Sequence, residues 1–153
     1  VTLAHKVLKG LGHQKPRIGV AALNPHSGEG GLFGDEEITT IRPTLQKLTV
    51  AGLYTEGPYP SDTVFLKAKA GLLDAVVIMY HDQGQIATKL LGFGEGVTLT
   101  GGLKTIYTTP AHGTAYDIVG QNKADPGAMI KAFEVAVLLA NRRRTAAPTA
   151  QSH

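Results

Sequence analysis

Short apolar runs alternate along this chain with segments whose apolar residues recur at helical spacing. Residues 17–23 (RIGVAAL) and 74–80 (DAVVIMY) are continuous apolar runs between turn-forming residues, which predicts two buried strands. Residues 97–100 and 105–109 are rich in β-branched side chains and predict two further strands. Apolar residues at helical spacing predict helices over residues 3–11, 35–52, 62–73, 83–91 and 127–140. Strands that alternate with helices are typical of an α/β fold with a largely parallel sheet.

The segments between these elements carry local signals of their own. Asp35 is a candidate N-cap for the second helix, and Ser61 or Asp62 for the third. Residues 53–60 are turn-rich, and the glycines that accumulate at residues 92–102 predict a crossing between two lobes. The polar residues 142–153 predict a disordered tail. The chain opens at Val1 in or near a helix, as a truncated or processed product would.

Composition and charge narrow the class of protein. A chain of 153 residues can bury a core, and the lack of cysteine leaves His, Asp and Glu as the ligands for any metal. The net charge is +3, but the one basic run, residues 142–144, is of a kind that solvates a helix end more often than it binds nucleic acid. No apolar run reaches membrane-spanning length and no signal peptide opens the chain, so we expect a cytoplasmic protein that binds neither membranes nor nucleic acid.

Two histidines follow the two predicted buried strands. His26 comes just after the first strand, and His81 comes directly after the second. Ligands bind beyond the carboxyl ends of strands in open α/β sheets, and neighbouring parallel strands would bring both histidines to one edge. Neutral imidazole suits a divalent cation, and an acidic neighbour, Glu29 or Asp82, can orient each ring or bind the metal directly. The alternative is a pair of unrelated polar histidines in loops.

Glycines surround the first of these histidines. The loop at residues 24–34 begins NPHSGEGG, and its glycines let the backbone approach a ligand closely. His and Glu among the glycines favour a site over a plain connector. Lys89, two turns into the helix after His81, could hold a phosphate or carboxylate, or could be a solvated surface lysine. Asp82 suits acid/base work because it adjoins a candidate metal ligand, whereas Asp62 reads first as an N-cap.

A second glycine-containing segment, HGTAYDIVG at residues 112–120, follows the strand TIYTT. Gly113 and Thr114 could come close to a nucleotide, and Asp117 could accept hydrogen bonds from ribose hydroxyls. The alternative is a capped turn that leads to the last helix, and composition does not separate these two interpretations.

Four motifs in the order NPHSGEGG, PSDTVF, YHDQG and HGTAYDIVGQNKADPG resemble the 4-hydroxythreonine-4-phosphate dehydrogenase family of pyridoxine biosynthesis. The resemblance covers roughly residues 17–140. The last motif is also similar to the nucleotide loop of isocitrate and isopropylmalate dehydrogenases, which share the fold. The resemblance implies two α/β lobes with the active site in the cleft between them, of which this chain is about the C-terminal half. Residues 1–91 would belong to the metal, substrate and dimerisation lobe, and residues 92–141 to the nucleotide-binding lobe.

The resemblance also implies roles for individual residues. The family works as a homodimer with a divalent metal (Zn, Mg, Mn or Co) held across the subunit interface by three histidines. His26 and His81 match two of them, and the third lies upstream of this chain. Asp62 and Asp82 match acidic residues of the cleft and are the candidate catalytic carboxylates, while Lys89 matches a substrate-contacting lysine. The segment that binds NAD, or alternatively NADP, is matched by His112, Gly113, Thr114, Ala115 and Asp117.

Two departures from the family pattern concern the substrate. Thr98 stands where members of the pyridoxal pathway carry a substrate-contacting Asn, and Tyr107 stands where they carry an Arg. Tyrosine cannot replace the permanent charge and paired donors of a guanidinium. We therefore expect a relative with a different preferred substrate, and Thr98 and Tyr107 are its candidate specificity residues.

The sequence thus predicts an oxidation of a hydroxy acid that depends on NAD and a divalent metal, followed by decarboxylation. Alternative substrates are a 4-phosphoerythronate-type sugar acid and an aromatic cis-dihydrodiol carboxylate such as that of terephthalate. A non-catalytic fragment is the alternative from another class, and we expect this chain alone to lack dehydrogenase activity.

Overall fold

The computed structural model describes residues 1–92 and 94–146. It divides into two compact units, Val1–Ala87 and a second that begins at Thr88. The first unit contains α1 (Thr2–Leu11), β1 (Ile18–Ala21), α2 (Arg42–Val50), β2 (Thr55–Tyr59), α3 (Val64–Lys69) and β3 (Ala75–Val77). Helix α4 (His81–Gly92) runs across the division, and β4 (Val97–Leu99), β5 (Thr108–Pro110) and α5 (Gly127–Ala146) belong to the second unit.

The first unit is built on a parallel three-stranded sheet in the order β2-β1-β3. Strand β1 lies in the centre, and all four of its residues are buried, as expected of a parallel strand covered on both faces. Ala21 packs with Val64 of α3 and with Leu73, which precedes β3. The two apolar runs therefore form adjacent parallel strands, as the sequence predicted.

The helices of the first unit begin and end for local reasons. Helix α1 ends at Gly12, whose φ of 106° closes the helix in the left-handed conformation. A π-helical turn, Glu37–Ile41, leads into α2. Pro43 lies in the first turn of α2, where it has no N–H to donate and would crowd the carbonyl one turn before it. The wider π-turn accommodates this proline, and the predicted helix over residues 35–52 is present with that irregularity.

The second unit pairs β4 with β5 in an antiparallel ladder, so its small sheet is not parallel as the α/β pattern suggested. Helix α5 packs on this pair. The Thr108 hydroxyl donates to the Ala132 carbonyl at 2.9 Å, and Ala128, Ala132 and Leu139 form the buried side of the helix. Met129, Ile130 and Phe133 are exposed, so α5 carries apolar residues beyond its buried side as well.

Three local predictions are wrong. Residues 55–59 form strand β2 rather than a turn, because pairing with β1 overrides the turn-forming Gly57 and Pro58. Helix α3 spans only Val64–Lys69, and neither Ser61 nor Asp62 caps it, because its N-cap is Thr63 and the Pro60 carbonyl accepts from the first amides. Asp35 likewise contributes its carbonyl, not its carboxylate, to the start of the second helix.

The tail prediction is also wrong in part. Helix α5 continues to Ala146, so residues 142–146 are helical. Arg143 explains part of this extension, because its guanidinium donates to the Lys104 carbonyl at 2.6 Å. The rest of the predicted tail, residues 147–153, lies outside the described residues. Within the described part of the chain, no helix has the length and hydropathy that crossing a membrane requires.

Candidate functional site

The carboxyl ends of β1 and β3 lie side by side, because the two strands pair in parallel register. His26 lies in the segment that leaves β1, and His81 opens α4, which follows β3. Both histidines are exposed. The topology therefore places the two histidines at the same edge of the sheet, which is the premise on which their prediction as metal ligands depended.

The segment that carries His26 has an unusual backbone. From His26 to Gly31, six consecutive residues have positive φ, and the first five lie in the left-handed region. Three of them, His26, Ser27 and Glu29, are not glycine, with φ of 53°, 57° and 41°. L-residues disfavour this conformation by roughly 1–2 kcal/mol each, so the surrounding structure must hold the turn in place. Such stored strain is more common at functional sites than in plain connectors.

A buried carboxylate lies beneath this left-handed turn (residues 26–30). The side chain of Glu37 is fully buried, and its Oε1 accepts from the backbone N–H groups of Leu23 and Asn24 at 2.8 and 2.7 Å. Its Oε2 accepts from the side-chain amide of Asn24 at 2.9 Å. Burial alone would raise the pKa of Glu37, but the hydrogen bonds from Asn24 and Leu23 outweigh it and lower the pKa below its usual value. Glu37 is therefore a carboxylate at neutral pH.

The imidazole of His26 is oriented by a residue of its own turn. Its Nδ1 lies 2.9 Å from Oε1 of Glu29, and its ring meets Phe33 edge to face with centroids 6.0 Å apart. A carboxylate only accepts, so Nδ1 carries the hydrogen, and in the neutral form of the imidazole the lone pair is on Nε2. This is the arrangement in which a histidine binds a metal through one nitrogen and is oriented through the other.

The start of α4 carries the second histidine and a bridging amide. Oε1 of Gln83 accepts from the backbone N–H groups of Met79 and Tyr80 at 2.9 and 3.2 Å. Its Nε2 donates to the Ala22 carbonyl at 3.0 Å. One side chain thus joins the segment that follows β3 to the segment that follows β1. His81 and Asp82 themselves are exposed beside it.

The other predicted site residues lie on exposed or half-buried surfaces. Asp62 is exposed in the turn before α3, and Lys89 is exposed on α4. In the second unit, Thr98 lies in β4 opposite Thr109, and Tyr107 is 57% exposed just before β5. The Tyr107 carbonyl accepts from the Thr100 amide, so a hydrogen bond fixes the backbone at this candidate specificity residue while more than half of the residue is exposed.

The predicted cofactor segment is an exposed loop that leads into a short 3₁₀ turn, Tyr116–Ile118. The His112 imidazole contacts the Gly113 carbonyl at 2.9 Å, and a Cβ added to Gly113 would meet no atom within 4 Å. Ala115 has a φ of 50°, which turns the chain sharply there. The open space at Gly113 suits the close approach of a ligand, while the role of this loop stays a prediction.

Two residues of this site were missed by sequence reasoning. Glu37 lies in the acidic run that opens the second helix, where a carboxylate reads as a favourable first-turn residue. Gln83 belongs to the HDQG motif, but an amide carries no titratable signal. Within the residues described, no three His, Asp or Glu side chains form a group that could hold a metal by itself.

A family model described as "Pyridoxal phosphate biosynthetic protein PdxA" matches residues 1–136. The chain belongs to this family. The resemblance seen in the four motifs is thereby confirmed, as is the α/β fold with a parallel sheet.

Three named relatives of this PdxA family chain show the range of the similarity. D-threonate 4-phosphate dehydrogenase of Pectobacterium atrosepticum is 49% identical over 140 residues, which cover 92% of this chain and 43% of that protein. A crystal structure of 4-hydroxythreonine-4-phosphate dehydrogenase from Klebsiella pneumoniae matches with a TM-score of 0.78 and 47% identity, over 91% of this chain and 42% of that one. Terephthalate 1,2-cis-dihydrodiol dehydrogenase of Burkholderia xenovorans matches with a TM-score of 0.69 and 34% identity, over 88% and 43%. The chain therefore spans about two fifths of the length of the relatives it matches.

Proposed function

We propose that this PdxA family chain supplies part of the active site of a dehydrogenase that oxidises a hydroxy acid with NAD and a divalent metal. The alternative cofactor is NADP. The observation that carries the proposal is the placement of His26 and His81 after two adjacent parallel strands. The names of the relatives, which are all dehydrogenases, support the type of reaction.

The residues present fit a divalent metal but do not complete its coordination. His26 offers Nε2 because Glu29 engages Nδ1, and His81 is exposed at the same edge of the sheet. Two imidazoles leave at least one protein ligand to come from elsewhere, since zinc and similar metals take three or four. In the proposal, the missing ligand is a histidine that lies upstream of this chain. The complete site lies across the interface of a homodimer, so that both subunits contribute to it. Zn, Mg, Mn and Co are the candidate metals.

The other candidate residues are assigned roles from the exposure of their side chains and from their chemistry. When bound, the metal supplies Lewis acidity that lowers the pKa of the substrate hydroxyl. Asp82, or alternatively Asp62, accepts the hydroxyl proton, and Lys89 binds an anionic group of the substrate. The loop that contains His112, Gly113, Thr114, Ala115 and Asp117 would hold the nicotinamide cofactor, which would supply the hydride acceptor. The oxidised acid then loses carbon dioxide. In the longer protein we propose the two-lobed fold of the isocitrate dehydrogenase type, with this site in its cleft.

The proposed substrate differs from 4-hydroxythreonine 4-phosphate. Tyr107 and Thr98 replace the Arg and Asn of the pyridoxal-pathway members, and an aromatic ring suits a flatter and less charged molecule. The family contains relatives named for D-threonate 4-phosphate and for a terephthalate cis-dihydrodiol, so both substrate types are compatible with this fold. The loss of one charge-assisted contact would cost roughly 1.5–3 kcal/mol, about one to two decades in affinity for the phosphate.

The test uses a chimera in which this whole chain replaces the matching segment of the Klebsiella protein. We expect the chimera to reduce NAD with a bound divalent metal, and the 153-residue chain alone to be inactive. His26→Ala and His81→Ala should each lower kcat/KM by more than about a hundredfold and release the metal, since even residues that only support a ligand are worth 10–100-fold. His13→Ala, at the opposite end of the sheet, is the matched control. Histidine variants that keep full activity would contradict the metal site, and an inactive, metal-free chimera would favour the non-catalytic alternative.

The same chimera tests the substrate. We compare kcat/KM for 4-hydroxythreonine 4-phosphate, D-threonate 4-phosphate and an aromatic cis-dihydrodiol carboxylate. Tyr107→Arg should shift the preference towards the phosphorylated compounds. A tenfold preference of the unmodified chimera for 4-hydroxythreonine 4-phosphate, about 1.4 kcal/mol, would show that Tyr107 was misinterpreted.

A further inference from the structure

Two buried or half-buried side chains fasten the strand ends that carry the candidate ligands. Glu37 binds the backbone of Leu23 and Asn24, directly before the left-handed turn. Gln83 joins Ala22 to Met79 and Tyr80, directly before His81. Neither side chain has a place in the chemistry proposed above, and both act on backbone groups.

The contacts of Glu37 fix the turn from two directions. From the strand side, its carboxylate holds two successive amides and the Asn24 side chain. From the turn side, Gly28 lies so close that a Cβ there would be 2.8 Å from Oε2 of Glu37, so the carboxylate limits how far the turn can move inwards. His26 lies between Asn24, which Glu37 holds by hydrogen bonds, and Gly28, which packs against Glu37. Its backbone can hold a disfavoured φ because its neighbours on both sides are held.

The chemistry of a carboxylate suits this position better than that of an amide. Glu37 receives N–H groups at both oxygens, and among the described residues it pairs with no cationic side chain. A glutamine of the same shape would turn one NH₂ group towards another donor, the Asn24 amide. Glu37→Gln therefore removes part of the anchor while it keeps the volume of the side chain.

In Gln83, by contrast, both halves of the amide are needed, because the oxygen and the nitrogen bind different segments. The oxygen closes the turn between β3 and α4, and the nitrogen alone reaches across to the neighbouring strand end. Gln83→Glu keeps the acceptor for Met79 and Tyr80 but cannot donate to the Ala22 carbonyl. This single substitution cuts the link between the two strand ends and leaves the local turn.

We propose that Glu37 and Gln83 are positioning residues, which hold His26 and His81 in one fixed arrangement before a metal binds. The inference rests on the proposed metal site. An ordered pair of ligands binds more tightly than a mobile pair, because less conformational entropy is lost on binding. Supporting residues of this kind typically contribute 10–100-fold to metal affinity.

The experiment measures the Kd of Co²⁺ for the chimera by calorimetry, together with the visible absorption of the bound ion, which reports its coordination. We expect Glu37→Gln and Gln83→Glu each to raise the Kd by roughly 10–100-fold and to change the spectrum. Gln46→Glu adds the same charge at an exposed position of α2, next to Leu45, whose carbonyl contacts the start of β2, and should leave the Kd within about twofold. Urea melts on every variant identify any that is unfolded, and Glu37→Asp and Gln83→Asn then serve as second variants at the same positions.

A double-mutant cycle separates positioning from a general loss of structure. If Glu37 acts through His26, the effect of Glu37→Gln on the Kd should largely disappear when His26 is already alanine. An unchanged Kd in Glu37→Gln and Gln83→Glu, with a raised Kd in His26→Ala and His81→Ala, would overturn the positioning roles and leave the metal site standing. An unchanged Kd in the two histidine variants would overturn the metal site itself, and the positioning roles with it.

Discussion

The two ends of the three-stranded sheet in the first unit are held in different ways. At the amino end, the Arg17 guanidinium donates to both oxygens of Asp74 at 3.1 and 2.8 Å, and the Arg17 backbone N–H donates at 2.7 Å. At the carboxyl end, Glu37 and Gln83 form hydrogen bonds with neutral backbone and amide groups. The amino end is closed by a charge pair, whereas the carboxyl end is organised by hydrogen bonds and leaves its two histidines exposed.

The amino end of the sheet is stabilised by its charge pair, whereas the carboxyl end contains a strained backbone. The side-chain and backbone hydrogen bonds from Arg17 hold the pKa of Asp74 well below its usual range, and Asp74 raises the pKa of Arg17 in return. The left-handed turn at the other end is disfavoured in itself and depends on its neighbours. Substitutions at the two ends should therefore fail for different reasons, and the differences can be measured.

The largest expected effect is at Gly28. Gly28→Ala should lower the free energy of unfolding by about 2–4 kcal/mol, because the left-handed φ of 79° is disfavoured and the new methyl group would press on Glu37 and on the Gly34 carbonyl. Gly30→Ala is a matched control, since Gly30 has a similar φ of 69° and open space around it. Chemical denaturation of both variants isolates the combined contacts with Glu37 and the Gly34 carbonyl from the cost of the backbone conformation. Equal losses in the two variants would mean that Glu37 does not support the turn sterically.

An intermediate effect is expected at the amino end, and it depends on pH. Asp74→Asn should lower the unfolding midpoint by several degrees at neutral pH, because it breaks the pairing with Arg17. The folded pKa of Asp74 is depressed, so its contribution is complete above the unfolded value of about 3.9 and is lost progressively as the pH falls from there towards the folded value. Thermal melts of the two proteins from pH 7 to pH 2 should therefore show a gap that narrows below about pH 4 but is not yet closed at pH 2. A gap that stays constant with pH would contradict the ion pair as the source of stability.

The smallest effect on stability is expected at His26. Its side chain is 64% exposed, with Nδ1 at 2.9 Å from Oε1 of Glu29 and the ring edge to face with Phe33. His26→Ala should therefore change the free energy of unfolding by no more than about 0.5 kcal/mol, whatever it does to metal binding. Urea denaturation of the metal-free protein provides the measurement. A large loss would assign His26 to the fold rather than to a site.

The elements that could be predicted are those whose signal is local. Strands β1 and β3 can be recognised from their apolar runs, and the end of α1 can be recognised from its glycine. Strand β2 cannot, because TEGPY has the composition of a turn and is extended only through its pairing with β1. For the candidate site, the placement of His26 and His81 after two adjacent strands could be predicted, while their role as ligands stays a prediction. The contacts of Glu37 and Gln83 could not be predicted. Their importance comes from backbone groups that only the folded chain brings to them.

The left-handed turn also has a consequence for the geometry of side chains. In a right-handed helix, residues three apart lie on one face, so their side chains can contact each other. Here His26 and Glu29 are three apart and in contact, but on a turn of the opposite hand. Grafting the two residues at the same spacing onto an ordinary helix would reverse the direction in which the pair points. A structural search for this pair therefore has to specify the left-handed backbone as well as the two side chains. Gly28 and Gly30 belong to that search pattern because they lie in the left-handed turn.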